Sequence, residues 1–434
     1  MSLSPRGAAW VRLLADRFSD AFPERLERPR TLGREAEFPL VRADGSAAEA
    51  AELWGPLQRR LPGFTAKREG GLIVALTDGS VEYTAEVGRG TLELIVGPEP
   101  DLHALAARHE DARAVLFEAA DEVGAQVLGY GIQPHTPATA AFLTPKRRYH
   151  VLHEVIGEPW LWFTLTASDQ VHLDLCRAEL SPVTDLCNLL APVTVALCAN
   201  SPVFAGAPCG AASARELHMG TIHAGSDRHG MPRQADGSAA AMVERYVVQE
   251  HLLRWEDGEK VAASGRFIDS LEGHDPATGD GDAAWTQFLL HEHYIWNSAR
   301  PRSAHATLEL RAACQQPLHE HDAAAVLGAA LIEGAPAIAA LLRDALGADP
   351  WPAMRAWHHA AMRQGLAAPE PAPGLLRAIL DAGRDALAAR GLGEESRMAP
   401  LYARLDAGMN PAQRALAAFE AGGLDALVAL AARR

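Results

Sequence analysis

Apolar and polar positions alternate along several segments in the first half of the chain, and a period of two is typical of β-strands. The clearest case is segment 31–41 (TLGREAEFPLV), where small and charged residues alternate with apolar ones. Turn residues such as Asp78 and Gly79 separate neighbouring segments. The pattern predicts strands at 31–41, 71–76, 81–84, 91–96, 127–133 and 170–175, and amphipathic helices at 7–28 and 101–124.

Further along, a helix precedes a second group of strands. Ser181 followed by Pro182 is typical of a helix start, so a helix is expected from about 182 to 199. Pro192 lies inside this segment and predicts a kink. The Gly- and Asp-rich segment 270–285 indicates a loop. Strands are predicted after that loop at 288–297 and 307–313.

Beyond Pro317, alanine and leucine dominate and the strand-like alternation disappears, so about five helices are expected there. Strands in two groups, with helices between and after them, favour an α+β fold with a largely antiparallel sheet over repeated βαβ units. We expect an antiparallel-sheet domain with an N-terminal helix at 1–319, which would carry the functional site. The helical region 320–434 is expected to pack on the same domain.

The composition limits the classes of partner. The 434 residues are 48% hydrophobic and 22% charged, which is typical of a globular protein. The net charge of −15 argues against a nucleic-acid binder, because contacts to phosphates need a basic face. No segment resembles a signal peptide, and the longest apolar run, 189–199, is too short to span a bilayer. We therefore expect small-molecule partners, no nucleic acid and no membrane, while the oligomeric state stays open.

The cysteines indicate neither a disulfide framework nor a zinc site, since there are five of them and no CxxC pair. Cys176, Cys187, Cys198 and Cys209 recur every 11 residues. The simplest interpretation is that they are small buried residues, because free cysteine is often buried. This usage favours a reducing cytoplasm.

Pairs of glutamates within apolar strands are the strongest chemical indication. Glu35 and Glu37 lie two residues apart in segment 31–41, so both would project from one face of a strand, about 7 Å apart. Carboxylates beside apolar residues are costly unless a cation offsets their charge, and divalent metals do this well. A solvent-facing edge strand is the alternative. Glu86 and Glu93 form a second pair in apolar surroundings, which favours the metal site.

Two further predicted strands carry compatible groups. Glu309 and Arg311 would share a face, where the carboxylate can hold a metal and the guanidinium a phosphate oxygen. A cross-strand ion pair would explain the same spacing. His172 would share a face with Gln170 and Asp174 and offers an imidazole ligand, unless it is a satisfied histidine of the core.

Five carboxylates, one histidine and one arginine on strand faces describe an oxygen-rich site for two or more Mg²⁺ or Mn²⁺ ions. Such a site suits ATP, whose phosphates bridge metal ions. The sequence contains neither a GxxxxGK[ST] loop nor a GxGxxG motif that follows a strand. ATP is therefore expected to bind on a metal-lined sheet rather than on a phosphate-binding loop.

Eight short motifs follow one another between about 31 and 317. They are GREAEF at 33–38, EVGRGTLEL at 86–94, GIQP at 131–134, PKRRY at 145–149, QVH at 170–172, CANSP at 198–202, RHGMP at 228–232, and WNSARP with ATLELR at 296–301 and 306–311. Each is weak alone, but the ordered set resembles the glutamate–cysteine ligase type 2 family, which includes plant-type glutamate–cysteine ligases and bacterial carboxylate–amine ligases.

The resemblance implies a curved antiparallel sheet similar to the catalytic domain of glutamine synthetase, with the active site on its concave face. It also implies ATP-dependent amide formation through a γ-glutamyl phosphate. Glutamate would be the carboxylate donor, and cysteine or another amino acid or amine would be the acceptor.

The resemblance also implies roles for single residues. One Mg²⁺ would be held by Glu37, Glu86 and Glu93. The metal on the ATP phosphates would be held by Glu35, His172 and Glu309. The transferring phosphoryl group would be stabilised by Arg300 and Arg311. Substrate contacts are implied for Lys146, Arg148, Tyr149, Gln170 and Asn200.

The chain departs from the family pattern at the second motif. Val87 replaces a proline of the plant-type pattern, and the motif is one residue longer. A spacing of seven would place Glu86 and Glu93 on opposite faces of one regular strand, so a bulge at 88–90 is expected if both are ligands. Arg89 adds a cation that either binds a substrate carboxylate or lies in solvent.

Three other hypotheses compete with a glutamate–cysteine type of ligase. The first is a specialised ligase that joins a different carboxylate and amine. The second is a ligand-binding homologue with a degenerate site, which the retained carboxylates and arginines argue against. The third is a simple metalloprotein built on the pairs His291/His293 and His358/His359, a weak motif in a chain with 18 histidines.

Overall fold

The structure is a computed structural model that describes residues 3–26, 28–223, 226–276 and 280–433. Its strands are β1 Leu32–Val41, β2 Thr65–Glu69, β3 Leu72–Thr77, β4 Val81–Ala85, β5 Thr91–Glu99, β6 Gln126–Val127, β7 Asp169–Asp174, β8 Val203–Phe204, β9 Ala207–Pro208, β10 His229–Gly230, β11 Leu253–Glu256, β12 Glu259–Ala262, β13 Trp296–Asn297, β14 Ala299–Arg302 and β15 Thr307–Leu310.

The helices follow the same chain order. They are α1 Pro5–Asp20, α2 Trp54–Arg60, α3 Leu102–Glu122, α4 Arg147–Ile156, α5 Leu180–Leu189, α6 Ala191–Cys198, α7 Ala214–Met219, α8 Ala239–Val247, α9 Gly281–His293, α10 Ala323–Glu333, α11 Ala335–Leu346, α12 Trp351–Gln364, α13 Leu375–Ala389, α14 Ala399–Ala407 and α15 Pro411–Ala431. Of these described helices none alone is long and apolar enough to cross a membrane, and two bent pairs, α5–α6 and Leu318–Glu333 with Ala335–Leu346, reach that length and composition only jointly.

One large antiparallel sheet organises the described chain. Its strand order is β14-β15-β7-β1-β5-β4-β3-β2, and β6 pairs with the end of β1. Strands from the first and the later part of the sequence pair in this one sheet. Segments far apart in sequence are therefore direct neighbours, as β7 and β15 are. The predicted α+β fold with an antiparallel sheet is confirmed.

The two faces of the sheet differ because strand residues alternate between them. Ala36, Phe38 and Leu94 project to the back face, where they join the main hydrophobic core with α1 and α3. Helix α10 lies against β7 so closely that a Cβ on Gly328 would stand 2.3 Å from Val171 Cγ1. The C-terminal helices therefore share this core, although the domain boundary at 319/320 stays a prediction.

Several boundaries differ from the predicted ones. Residues 288–293 belong to α9, which begins at Gly281 inside the predicted loop, and only Trp296–Asn297 form a strand. The helix predicted from 182 begins at Leu180, and the break before Pro192 separates α5 from α6 with a bend of 45°. Of the strand predicted at 127–133, only Gln126–Val127 is present. Strand β2 was not predicted, because its polar sequence TAKRE shows no apolar alternation.

Candidate active site

The front face of the sheet collects the polar residues of four central strands. Antiparallel register places Glu37 of β1 opposite Glu93 of β5, and Glu35 opposite Gln170 of β7. On the other side of β7, Glu309 of β15 lies opposite His172. These partners share a face because residues directly opposite each other in an antiparallel pair point to the same side.

Glu86 reaches the same face through a hairpin and not through a bulge in one strand. It follows β4 directly, and β4 pairs with β5 so that Thr84 lies opposite Glu93. Glu86 continues the alternation of Thr84, and its backbone N–H donates to Thr91 O at 3.1 Å. The expectation of a bulge was therefore wrong, because Glu86 follows the end of β4 while Glu93 lies in β5, so the two do not share one strand.

A cleft of about 230 Å³ opens over this face. Its floor contains Glu35, Glu37, Glu86 and Glu93 from one half of the sheet. The other half contributes the guanidinium groups of Arg300, Arg302 and Arg311. The cleft is thus divided into an acidic half and an arginine half.

The acidic half holds more negative charge than the neighbouring protein groups offset. Glu37 accepts hydrogen bonds from the backbone of Ser168 at 2.6 Å and from Gln170 Nε2 at 3.0 Å. Burial, and then the carboxylate of Glu86, raises the pKa of Glu37 to about 7. Burial, followed by Glu86 and Glu35, raises the pKa of Glu93 well above its usual range. Crowded carboxylates of this kind are stabilised by a bound cation.

The arginine half is centred on Glu309, which is fully buried. Arg300 binds both of its carboxylate oxygens, at 2.9 and 3.0 Å, and Arg302 binds Oε2 at 2.8 Å. Arg311 donates to Oε1 and also to Gln170 Oε1. Burial alone would raise the pKa of Glu309, but the three arginines outweigh it and hold that pKa well below its usual range.

His172 lies between the two halves. Its Nε2 is 3.1 Å from Glu35 Oε1 and 4.0 Å from Glu309 Oε2, yet this buried atom has no well-aligned hydrogen bond. One ligand atom from each of these three residues lies within 4.8 Å of the others. The Nε2 atom of His172 has no hydrogen-bond donor, and the carboxylate of Glu35 lies beside it. Together these two groups are suitable ligands for a divalent cation.

Glu309 fits a metal less well than Glu35 or His172 in this arrangement. A carboxylate offers about four lone-pair sites, and the four contacts from Arg300, Arg302 and Arg311 use them. Glu309 would therefore coordinate a cation only after at least one arginine turns away to another anion.

The residues predicted to contact substrate fall into two groups. Arg148, Tyr149 and Gln170 line the cleft, and Arg148 Nη2 lies 3.0 Å from the hydroxyl of Tyr149. The remaining three, Lys146, Asn200 and Arg89, do not line it.

Each of these three side chains has another contact. The ammonium of Lys146 donates to Ala85 O at 2.5 Å, and burial, then Arg148, lowers its pKa to about 8. Asn200 Nδ2 donates to two backbone carbonyls at 2.9 Å and is buried, so its role is to hold the chain in place. Arg89 Nε donates to Leu143 O at 3.0 Å beside a separate cavity. The structure thus gives no support to direct substrate contacts by these three residues in the cleft.

Sequence reasoning did not single out several residues of the cleft. Arg302 follows Arg300 by two positions in the strand sequence ARPR, and this alternation could have identified it. Arg215 lies in α7, behind the N-cap Ser213, where no motif marked it. His293, from the predicted metal pair, lines the cleft and accepts from Arg302 at 3.1 Å, whereas His291 turns away to Tyr246 O.

Four aromatic side chains form one wall of the cleft. They are Tyr149, Trp160, Phe163 and Trp296. The ring centres of Trp160 and Phe163 are 4.5 Å apart, and those of Phe163 and Trp296 are 5.3 Å apart. One segment carries Tyr149, Trp160 and Phe163, whereas Trp296 lies more than a hundred positions later, so no local pattern could place it beside them.

The cysteines lie away from the cleft. All five are free, and four of them are buried. Burial raises the pKa of both Cys187 and Cys198 to about 12, which disfavours the thiolate. The interpretation as small buried residues is confirmed for Cys176, Cys187 and Cys198, whereas Cys209 is only partly buried.

Two comparisons place the chain among known proteins. It is 31% identical over 188 residues to the chloroplastic glutamate–cysteine ligase of Arabidopsis thaliana, which covers 42% of this chain and 35% of that protein. The Medicago truncatula enzyme is 31% identical over 170 residues, or 38% of this chain and 32% of that protein. The matched region therefore spans about a third of these curated relatives.

Solved structures share the fold at low sequence identity. A glutamate–cysteine ligase from Francisella tularensis in complex with AMP has a TM-score of 0.54 at 11% identity, over 94% of this chain and 88% of that one. A bifunctional glutathione synthetase from Pasteurella multocida has a TM-score of 0.51 at 14% identity, over 98% of this chain and 52% of that one. The family description "Glutamate-cysteine ligase family 2 (GCS2)" matches residues 31–429, nearly the whole chain, and the protein belongs to this family.

Proposed function

We propose that the chain is an ATP-dependent ligase that joins a carboxylate to an amine through an acyl phosphate. Glutamate is the proposed donor, and cysteine or another amino acid or amine is the proposed acceptor. The observation that carries this proposal is the division of one cleft into an acidic half and an arginine half. Family membership and the ligase neighbours support the same reaction class.

The two halves suit the two needs of phosphoryl transfer. Glu37, Glu86 and Glu93 would hold one Mg²⁺, and Glu35 and His172, joined by Glu309, would hold a second. Bound Mg²⁺ would offset the charge of the phosphate oxygens. Arg300 and Arg311 are proposed to stabilise the charge that develops on the transferring phosphoryl group.

The contacts of Glu309 indicate how its two proposed roles can alternate. Arg311 binds Glu309 in the described arrangement, and a nucleotide phosphate would offer that guanidinium stronger acceptors. An arginine that turns to the phosphate frees a lone pair of Glu309. Nucleotide binding would therefore favour cation binding, because it draws an arginine away from Glu309. Cation binding would favour nucleotide binding, because it releases that arginine for the phosphate.

The protein then acts by position and charge. The donor carboxylate attacks the γ-phosphorus of ATP, ADP leaves, and the amine displaces phosphate from the acyl carbon. None of these steps needs a nucleophilic side chain, and no cysteine is among the residues that line the cleft.

ADP formation with Mg²⁺ and glutamate, measured with and without a panel of amines, tests this function. Hydroxylamine added in place of the amine should trap an acyl phosphate as a hydroxamate. Glu37→Gln, which keeps the shape of the side chain, is the matched inactive control. Release of AMP and pyrophosphate instead of ADP would contradict an acyl-phosphate route, and no nucleotide turnover with any amine would contradict a ligase.

A further inference from the structure

A second cavity lies behind the hairpin that carries Glu86. Its volume is about 460 Å³, within the range of small-molecule sites. Trp54, Leu72 and Val74 form its mainly apolar wall. Leu72 is 53% exposed, so its side chain is accessible to an apolar ligand.

A buried hydroxyl without a partner also lines this cavity. Thr144 is 4% exposed, and its Oγ1 has no hydrogen-bond partner in the described chain. Because this oxygen is closed off from the cavity, Thr144 forms part of the wall and not a contact for a ligand. Its backbone is fixed in place, since the N–H of Thr144 donates to Val87 O at 2.8 Å.

The charged groups around the cavity favour an anion. Arg68 and Arg89 line it, against the single carboxylate of Glu49. Arg89 Nη1 lies 3.7 Å from Glu49, and both side chains are well exposed. A loose ion pair of this kind is weak, so Arg89 can bind another carboxylate at little cost.

The cavity is distinct from the cleft, although the two share one loop. Ala85 and Arg89 line the cavity, whereas Glu86 and Val87 between them line the cleft. The loop is held from the cavity side by the hydrogen bond from Ala50 N to Arg89 O at 2.7 Å. The backbone of the hairpin is therefore the wall between the two spaces.

We propose that this cavity is a second ligand site for a small carboxylate with an apolar body. The apolar part contacts Trp54, Leu72 and Val74, and the carboxylate pairs with Arg89. The site does not depend on the ligase proposal, since it contains none of the residues assigned to metal or nucleotide.

Isothermal titration with octanoate, in the absence of ATP and Mg²⁺, tests the site. The full-length protein should bind octanoate saturably and octanol much more weakly. Arg89→Met should weaken octanoate binding about tenfold or more, the scale of a lost charge-assisted contact. Ala51→Trp should abolish it, because Ala51 lines the cavity from the short 3₁₀ helix Ala50–Leu53 and is exposed, so the indole can fill the space.

Arg59→Met is the matched control, since Arg59 is an exposed arginine that pairs with Glu122 outside the cavity. It should bind octanoate like the wild type, and circular dichroism should confirm that each variant is folded. The proposal is overturned if octanoate shows no saturable binding, if octanol binds equally well, or if either folded cavity variant binds octanoate as tightly as the wild type. Because no turnover is measured, failure of the ligase proposal would leave these results unaffected.

Discussion

Strand β1 carries buried charges on both faces of the sheet, and the two faces treat them differently. On the back, Arg34 and Asp169 are 1% and 2% exposed and form two hydrogen bonds of 2.7 Å. On the front, Glu37 lies directly opposite Glu93, a pair of like charges. The back face satisfies its charges within the protein, whereas the front face leaves a repulsion that a bound cation or a proton would relieve.

This difference separates the residues that serve stability from those that serve function. A matched buried ion pair belongs to the folded structure itself, and removing one partner leaves an uncompensated charge. A mismatched acidic pair lowers stability in the free protein and is retained where a cation binds. Substitutions on the front face should therefore lower activity, whereas substitutions on the back face should lower stability.

The largest effect is expected from Glu37→Gln on the front face. We expect ligase activity to fall by more than about 1000-fold, because the amide keeps the size of the side chain but removes the charge that would bind Mg²⁺. The melting temperature should not fall. The measurement is ADP formation at saturating Mg²⁺, and near wild-type turnover there would refute the assignment.

On the back face, Asp169→Asn should lower the free energy of unfolding by about 3–5 kcal/mol, since it leaves buried Arg34 with only Asp322, at 3.5 Å, as a counter-charge. Urea denaturation measures the change. The double variant Arg34→Met/Asp169→Leu should recover most of the loss, because an apolar pair removes both charges. A loss below about 1 kcal/mol for Asp169→Asn would show that the buried ion pair of the back face contributes little to the free energy of unfolding, contrary to the comparison of the two faces.

Arg311→Lys tests whether the front-face arginines serve catalysis or only pair with Glu309. If Arg311 stabilises the transferring phosphoryl group, kcat should fall by roughly 10- to 1000-fold while ATP affinity changes much less. Lysine would preserve a simple ion pair, and the loss would then appear in thermal stability. Unchanged kcat with a lowered melting temperature would therefore exclude the catalytic role.

A pH dependence should reveal the unrelieved charge of the front face. Because burial and then Glu86 raise the pKa of Glu37 to about 7, the folded state binds its proton more tightly than the unfolded state. Stability from this group is present at low pH and is lost as pH rises from about 4.5 to 7. In EDTA, Glu37→Gln should be more stable than the wild type at pH 8, by on the order of 2 kcal/mol. An equal or lower stability of the variant would contradict this, and Mg²⁺ should shrink the difference.

The smallest effect is expected from the cysteines, which belong neither to the ion pair of the back face nor to the carboxylates of the front face. Replacing Cys176, Cys187, Cys198 and Cys209 together with alanine or serine should leave turnover unchanged in protein that remains folded. Circular dichroism checks the fold, and a folded variant without activity would show that a thiol takes part in the reaction.

The strand positions of the glutamates could be predicted from the sequence, because alternation within one strand is a local property. Glu35 and Glu37 share a face for this reason, and so do Glu309 and Arg311. The same local reasoning failed for Glu86 and Glu93, since the turn between them separates two strands. It also failed at 288–293, where an apolar run that could form either element became part of α9.

The sequence by itself determined the α+β class and the family, and it placed Glu35 with Glu37 and Glu309 with Arg311 on shared strand faces. Tertiary structure alone decided which of them meet, since strand order joins β7, β1 and β15 across long stretches of chain. It also decided that Arg302 and Arg215 line the cleft and that Arg89 does not. Local periodicity fixes the face on which a side chain lies, but its neighbours depend on pairing between distant segments, which no local pattern encodes.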